Sequence, residues 1–273
     1  MSLLKNVPAA SVAAKPEPPP AWRLLSTETG VQDMEYGDTA RTNIRGLFGH
    51  QPRRVLDIGC ASGAVGAGLK QSIPGIWVWG CELNEKQARV AATQLDHVTT
   101  VARPEWSAED IALVKTLDTV LLLDVLEHMY NPWAELEFLS AHLQTDAQVI
   151  VSLPNIGHIS ILQGLAHGAF PYSAIGILDV THVRFFTLAS MHAMFEQTGF
   201  RIDREGILSN TPSPPPESFP ASFTAGKLTL AVENALEWDR LNAVQFGFRL
   251  RRKAPPPAAS FQPAWGSAYY KRP

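Results

Sequence analysis

Three ionisable side chains crowd into five residues, Asp124-Val125-Leu126-Glu127-His128, at the end of the apolar run DTVLLLD (118–124). Carboxylates and imidazoles are the side chains that hold polar ligands and move protons near neutral pH. A helical turn over this stretch would put Asp124 on one face with Glu127 or His128. A second set lies upstream. In VLDIGCASG (55–63), Asp57 precedes Gly59 and Gly63, and Glu82 closes a second apolar run, IWVWGCE (76–82). Glycines at those points allow positive φ and close approach of the backbone to a ligand. A carboxylate at position 82 can accept both hydrogen bonds of a ribose diol, as doubly wound folds do at the carboxyl ends of their strands. The pattern predicts an adenosine-type cofactor.

Other chemistry-bearing residues come later: SLPN (152–155) after a fifth apolar run, and the segment G176-I-L-D-V-T-H-V-R-F-F-T187 with Asp179 and His182. His128 and His182 both follow strand ends and are expected within about 5 Å of each other, on the edge where a parallel sheet gathers its ligands. His158, beside Asn155, is of a type that could serve as a general base, but it reads first as a loop histidine. Cys60, Cys81, Trp77 and Trp79 read as core, and Arg249, Arg251, Arg252 and Lys253 as a solvated strand end.

The elements that must position these groups alternate. Strands are expected at 53–58, 76–82, 97–102, 118–124 and 147–152, with helices at 64–72, 85–95 and 132–143 between them. Val65 and Leu69 share a face of the first helix, and Trp133, Leu136, Leu139 and Leu143 form the stripe of the third. The run at 118–124 is apolar throughout, as in a strand buried on both faces. A helical piece near 157–167, a helix at 188–198 and strands at 200–208 and 243–252 come next, the last of these antiparallel. This order predicts an α/β fold: a doubly wound, mostly parallel, seven-stranded Rossmann-like sheet with helices on both faces. Residues 1–20 read as a mobile Ala/Pro-rich arm, 21–50 as a helical cap, 211–220 (TPSPPPESFP) as an exposed connection and 254–273 as a poorly ordered tail.

At 273 residues, with 45% hydrophobic and 18% charged residues, the chain can bury a sizeable core. A net charge of −3 argues against a nucleic-acid partner held by a broad basic surface. Two cysteines make no secreted disulfide framework, and no run approaches the ~20 apolar residues of a membrane span. The start has too weak an apolar run for a signal peptide, so a cytoplasmic protein is expected.

The glycine spacing narrows the cofactor. A dinucleotide loop needs G-x-G-x-x-G, whereas this chain has D-x-G-x-x-x-G with Ala61 at the central position. That resembles the first motif of class I S-adenosylmethionine (SAM) methyltransferases. Together with D-V-L-E-H, SLPN and D-x-T-H-x-R-F-F-T, it resembles the branch of the ubiquinone-pathway O-methyltransferases, which contains many proteins of glycan biosynthesis. The likeness covers roughly residues 53–208. It implies a SAM site built from Asp57, Gly59, Cys60, Ala61, Gly63, Glu82, Leu83, Asp124 and Val125. Relatives often carry an acid after the third strand for the adenine amino group; here that region reads VARPEW (101–106), leaving Glu105 or Trp106 as candidates. Some relatives, among them the small-RNA terminal 2′-O-methyltransferases, hold a divalent metal with an acid-x-x-Glu-His box and a later histidine. Asp124, Glu127, His128 and His182 fall on that pattern, and such ligands suit Mg²⁺, Mn²⁺, Fe²⁺ or Zn²⁺. The bland alternative is a structural Glu127–His128 pair with His182 anchoring a loop.

The resemblance implies methyl transfer from SAM to a hydroxyl of a small polar acceptor, a sugar or glycan intermediate. Asp124, His128 and His182 would be its catalytic residues, and 153–186 with 21–50 its acceptor site. An RNA 2′-O-methyltransferase, a non-catalytic SAM-binding subunit and a nicotinamide-dependent oxidoreductase remain as alternatives.

Overall fold

The computed structural model describes residues 41–253. The expected arm (1–20), most of the expected cap (21–40) and the tail (254–273) lie outside the described residues. Seven strands form one sheet: β1 (Arg54–Ile58), β2 (Trp77–Cys81), β3 (His97–Thr99), β4 (Thr119–Leu123), β5 (Gln148–Pro154), β6 (Phe200–Asn210) and β9 (Ala243–Arg252), in the order β3-β2-β1-β4-β5-β9-β6. The first five are parallel, and β9 runs antiparallel to both β5 and β6.

Alternation along the strands decides which layer each side chain joins. Leu56, Val120, Leu122, Val149 and Val151 face one layer, packed with Leu136 and Leu139 of α4 (Pro132–His142) and Met191 and Phe195 of α6 (Leu188–Gln197). Val55, Leu121, Leu123 and Ile150 face the other, with Val65 and Leu69 of α1 (Ala64–Ser72) and Ala91 of α2 (Glu85–Ala91). Both layers are apolar, which is why β4 has no polar face. Asn84 caps α2 by accepting from the N–H groups of Lys86 and Gln87, and α2 ends four residues before the expected boundary. The helical piece after β5 is α5 (Ile159–Ala166).

Four elements were not foreseen. α3 (Ala108–Val114) starts on a Ser107/Asp110 capping box. A hairpin, β7 (Ala221–Ala225) and β8 (Leu228–Val232), turns on Gly226-Lys227 with Gly226 at φ 59°, as a two-residue loop requires. It leads into α7 (Ala235–Asn242). The arginines at the end of β9 are not a solvated run: Arg249 and Arg251 hold Asp203 at 2.7 and 3.7 Å, and Arg252 donates to the Leu143 carbonyl.

Candidate active site

β1, β2, β4 and β5 end together. Ile58 is opposite Cys81 on one side and Leu122 on the other, and Leu123 is opposite Ser152. The loops leaving these four strands therefore meet along one edge of the sheet. After β1 the chain folds back: the N–H groups of Gly59 and Cys60 donate to the Cys81 carbonyl (2.8 and 3.2 Å), and Gly63 N–H donates to the Cys60 carbonyl (2.8 Å). Gly59, Ala61 and Gly63 have φ of 72°, 48° and 88°. A Cβ on Gly59 would stand 2.8 Å from Val125 Cγ2. Gly59→Ala should therefore destabilise the protein by about 1–3 kcal/mol, the usual cost of a side chain held in the left-handed region. Denaturant unfolding measures this, and wild-type stability in the variant would show that the loop is free to relax.

Glu82 closes this loop. Its carboxylate accepts Ala61 N–H (2.9 Å) and Asn84 N–H (2.8 Å), so it fixes the turn. Asp57 is buried behind the loop with Oδ2 unpartnered. Burial raises its pKa to about 7, opposed by the Arg41 guanidinium and reinforced by the Glu82 carboxylate. Cys60 and Cys81 are buried free thiols. Trp106 is also core, its indole N–H given to the Val101 carbonyl (3.2 Å), while Glu105 is exposed.

Asp124 departs from the expected shared face. Its φ of 56° breaks the helical path, and only Leu126–His128 form a 3-10 turn. The Asp124 carboxylate accepts from Ser152 Oγ (2.8 Å), Arg41 Nη1 (2.7 Å) and Gln245 Nε2 (2.6 and 2.7 Å). Arg41 and Gln245 were missed from the sequence. They lie 83 and 121 positions away from Asp124, and no local pattern marks them.

Glu127, His128 and His182 do come together. The backbone N–H groups of Val183 and Arg184 donate to the Glu127 carbonyl (2.9 and 3.0 Å), docking the later segment on the 3-10 turn. The imidazole rings of His128 and His182 are 4.7 Å apart between centroids, and His182 Nε2 lies 4.0 Å from Glu127 Oε1. Ligand atoms of the three residues all fall within 4.8 Å of one another; Asp124 is not among them. Glu127 is 1% exposed and both its carboxylate oxygens lack a partner. Burial and the Asp124 charge push its pKa well above the carboxylate range. Burial lowers the pKa of both histidines, and His182 further lowers that of His128. His158, by contrast, caps α5: Nδ1 accepts Ser160 N–H (3.2 Å) and Nε2 meets Thr211 Oγ1 (3.1 Å). It is a structural histidine.

A glycine loop, an acid after β2 and a polar cluster after β4 thus share one edge of the sheet, and the sequence profile of the methyltransferase domain matches residues 35–205 of the 273. The chain belongs to this methyltransferase family. No curated protein matches it. Among solved structures it is similar to a SAM-dependent methyltransferase from Thermotoga maritima, at 16% identity over 78% of this chain and 87% of that one, with a TM-score of 0.50. It is also similar to a chain of the Haloferax volcanii complex between the Trm112 methyltransferase activator and a methyltransferase, at 13% identity over 79% and 89%, with a TM-score of 0.51. At these identities the likeness is one of fold. The family assignment answers the choice between methyl and hydride transfer: this is a SAM-dependent methyltransferase. No helix among the described residues is long and apolar enough to cross a membrane.

Proposed function

We propose that this methyltransferase transfers the methyl of SAM to a hydroxyl of a small polar acceptor, a sugar or glycan intermediate, with Glu127, His128 and His182 at the point of transfer. The observation that carries this reading is the orientation of the two imidazoles. His182 Nδ1 donates to the Ile177 carbonyl (3.1 Å), which leaves Nε2 as a lone pair toward Glu127. The Thr181 hydroxyl donates to Asp179 Oδ1 (2.7 Å) and so accepts from His128 Nδ1 (3.0 Å), leaving the second Nε2 likewise unprotonated. Two neutral imidazole nitrogens beside a buried carboxyl group are suited to take a hydroxyl proton or to ligate a cation.

The residues after β1 and β2 fit SAM. Glu82 would hold the ribose diol, with Gly59, Cys60, Ala61, Gly63, Leu83 and Val125 lining its path. Asp57 and Asp124 would face the methionine end, and Arg41 puts a cation beside them, so the crevice offers both charges that an amino-acid zwitterion needs. Bound SAM supplies an electrophilic methyl on a sulfonium, open to in-line attack. The unpartnered Glu127 oxygens and the two Nε2 lone pairs also fit a divalent cation (Mg²⁺, Mn²⁺, Fe²⁺ or Zn²⁺), which when bound would polarise the acceptor oxygen. Asp124, its oxygens taken by Ser152, Arg41 and Gln245, stays outside that set.

Calorimetric titration with SAM, followed by transfer of labelled methyl to hydroxylated acceptors, tests the reading; methyl appearing only on nitrogen or sulfur would overturn it. The pH dependence adds a check. Asp57 holds its proton up to about pH 7 in the free protein, and the SAM ammonium favours its ionised form. Affinity for SAM should therefore rise with pH between 5 and 7, by at most about tenfold per unit, and then level off. Asp57→Asn should flatten this slope.

A further inference from the structure

A row of rings leads from the protein surface to the histidine pair. Tyr172 is 53% exposed and packs edge-on against Phe170, with centroids 5.5 Å apart. Phe170 meets Phe185 at 5.5 Å, Phe185 meets His182 at 6.3 Å, and His182 meets His128 at 4.7 Å. Tyr130, 79% exposed, follows the 3-10 turn that carries Glu127 and His128, and its carbonyl accepts Arg184 Nη2.

The row is held in place. Ser173 N–H donates to the Leu178 carbonyl, and Val180 N–H donates to the Ser173 carbonyl, both at 2.9 Å. The segment bearing Phe170 and Tyr172 is thereby tied to the one bearing Asp179, Thr181 and His182. Asp179 is buried and accepts from both the N–H and the hydroxyl of Thr181. The rings and the His182 imidazole thus belong to one braced loop. Phe170, half-buried, and Tyr172, exposed, thus offer adjacent ring faces on the loop that carries His182, and an apolar ring face laid against an aromatic one gains free energy by burial.

Building on the O-methylation reading above, we propose that Phe170 and Tyr172 form the acceptor wall and select a hydroxylated six-membered ring, stacked by its flat carbon face so that one hydroxyl reaches His128 and His182. A pyranose and a phenol share that chemistry. An acyclic polyol lacks it. Phe170 and Tyr172 are then specificity-determining residues whose contribution is binding, which locates their effect in the KM for acceptor.

The experiment measures labelled-methyl transfer by the full chain to three probes: a methyl hexopyranoside, catechol and sorbitol. The expected result is transfer to one of the ring probes, with sorbitol used at least tenfold less efficiently. The preferred ring identifies sugar or phenol as the source. Tyr172→Ala should raise the KM for that ring about three- to tenfold, the size of one stacking contact, with the affinity for SAM unchanged, whereas Tyr172→Phe should restore the wild-type KM. Equal use of sorbitol, or an unchanged KM in both Tyr172→Ala and Phe170→Ala, overturns the wall while leaving O-methylation intact. Transfer to none of the three, with SAM binding retained, overturns the wall, whereas the O-methylation reading falls only if methyl appears on nitrogen or sulfur alone. Circular dichroism of each variant separates a lost wall from a lost fold.

Discussion

Glu82→Ala should weaken SAM binding about ten- to a hundredfold while the protein still folds. Two losses combine in this change. The ribose diol would lose the carboxylate that accepts its hydroxyls, and the backbone N–H groups of Ala61 and Asn84 lose the oxygens they now reach at 2.9 and 2.8 Å. The lost ribose contact costs about 1–3 kcal/mol, and each 1.4 kcal/mol is tenfold in affinity; the two backbone donors are unpaired with or without SAM, so their cost falls on stability. Asn84 keeps its role as the cap of α2 through its own side chain, so the helix should survive. Glu82→Gln should lie between wild type and alanine, since one amide oxygen can still accept from a backbone N–H while the amide NH2 faces a donor. Titration calorimetry with SAM reads all three proteins. Equal affinity for Glu82→Ala and wild type would remove Glu82 from the ribose.

How far the site could be read from the sequence depends on how local its causes are. β4 was legible because a strand covered on both faces is a continuous apolar run, and Val120, Leu121 and Leu122 are all fully buried; β1 was legible from Val55, Leu56 and Ile58 running into the glycine turn. The glycine loop was legible because positive φ at Gly59 and Gly63 restricts the residue type. The meeting of His128 with His182 was legible from topology: both follow the carboxyl edge of one sheet. Asp124 was placed at the correct strand end, yet with the wrong partners. Its turn into the left-handed region at φ 56° is a choice that aspartate tolerates without announcing it, and it sends the carboxylate toward β5 and β9. Arg41 and Gln245 carried no signal, because the contacts that define them close loops of the whole domain. For the hairpin and α3 the signals existed: Gly226-Lys227 between the alternating runs SFT and TLAV, and Ser107 three residues ahead of Asp110. Aspartate at that third position is a weaker mark than the glutamate of the usual box. The charge run after Phe248 misled for an electrostatic reason. Asp203, three residues into β6, draws Arg249 and Arg251 inward, and nothing near those arginines in the chain reveals it.

The cluster of Glu127, His128 and His182 yields the largest expected effect, because its two versions diverge under one treatment. If the three residues hold a divalent cation, dialysis against chelator should lower activity by roughly two to three orders of magnitude, as loss of a Lewis acid or of an acid–base group does. Readdition of one of Mg²⁺, Mn²⁺, Fe²⁺ or Zn²⁺ should then restore it. A readout independent of turnover accompanies this: the ion should raise the melting temperature of the chelated protein, since anything that binds the native state alone stabilises it. Both Glu127 oxygens are buried without a donor, so relief of that unpaired carboxyl group should make the rise measurable. Glu127→Ala should abolish the rise. Thr181→Val is the finer test. It removes the hydroxyl that accepts from His128 Nδ1 at 3.0 Å while touching no ligand atom, and a lost orienting partner of this kind typically costs ten- to a hundredfold in metal affinity. If instead the pair only relays a proton, chelator and added ions should leave both rate and melting temperature unchanged, yet His182→Ala should still cost two orders of magnitude or more in kcat. Should His182→Ala retain wild-type kcat, neither version stands, and the imidazole that Ile177 holds in place only braces the loop.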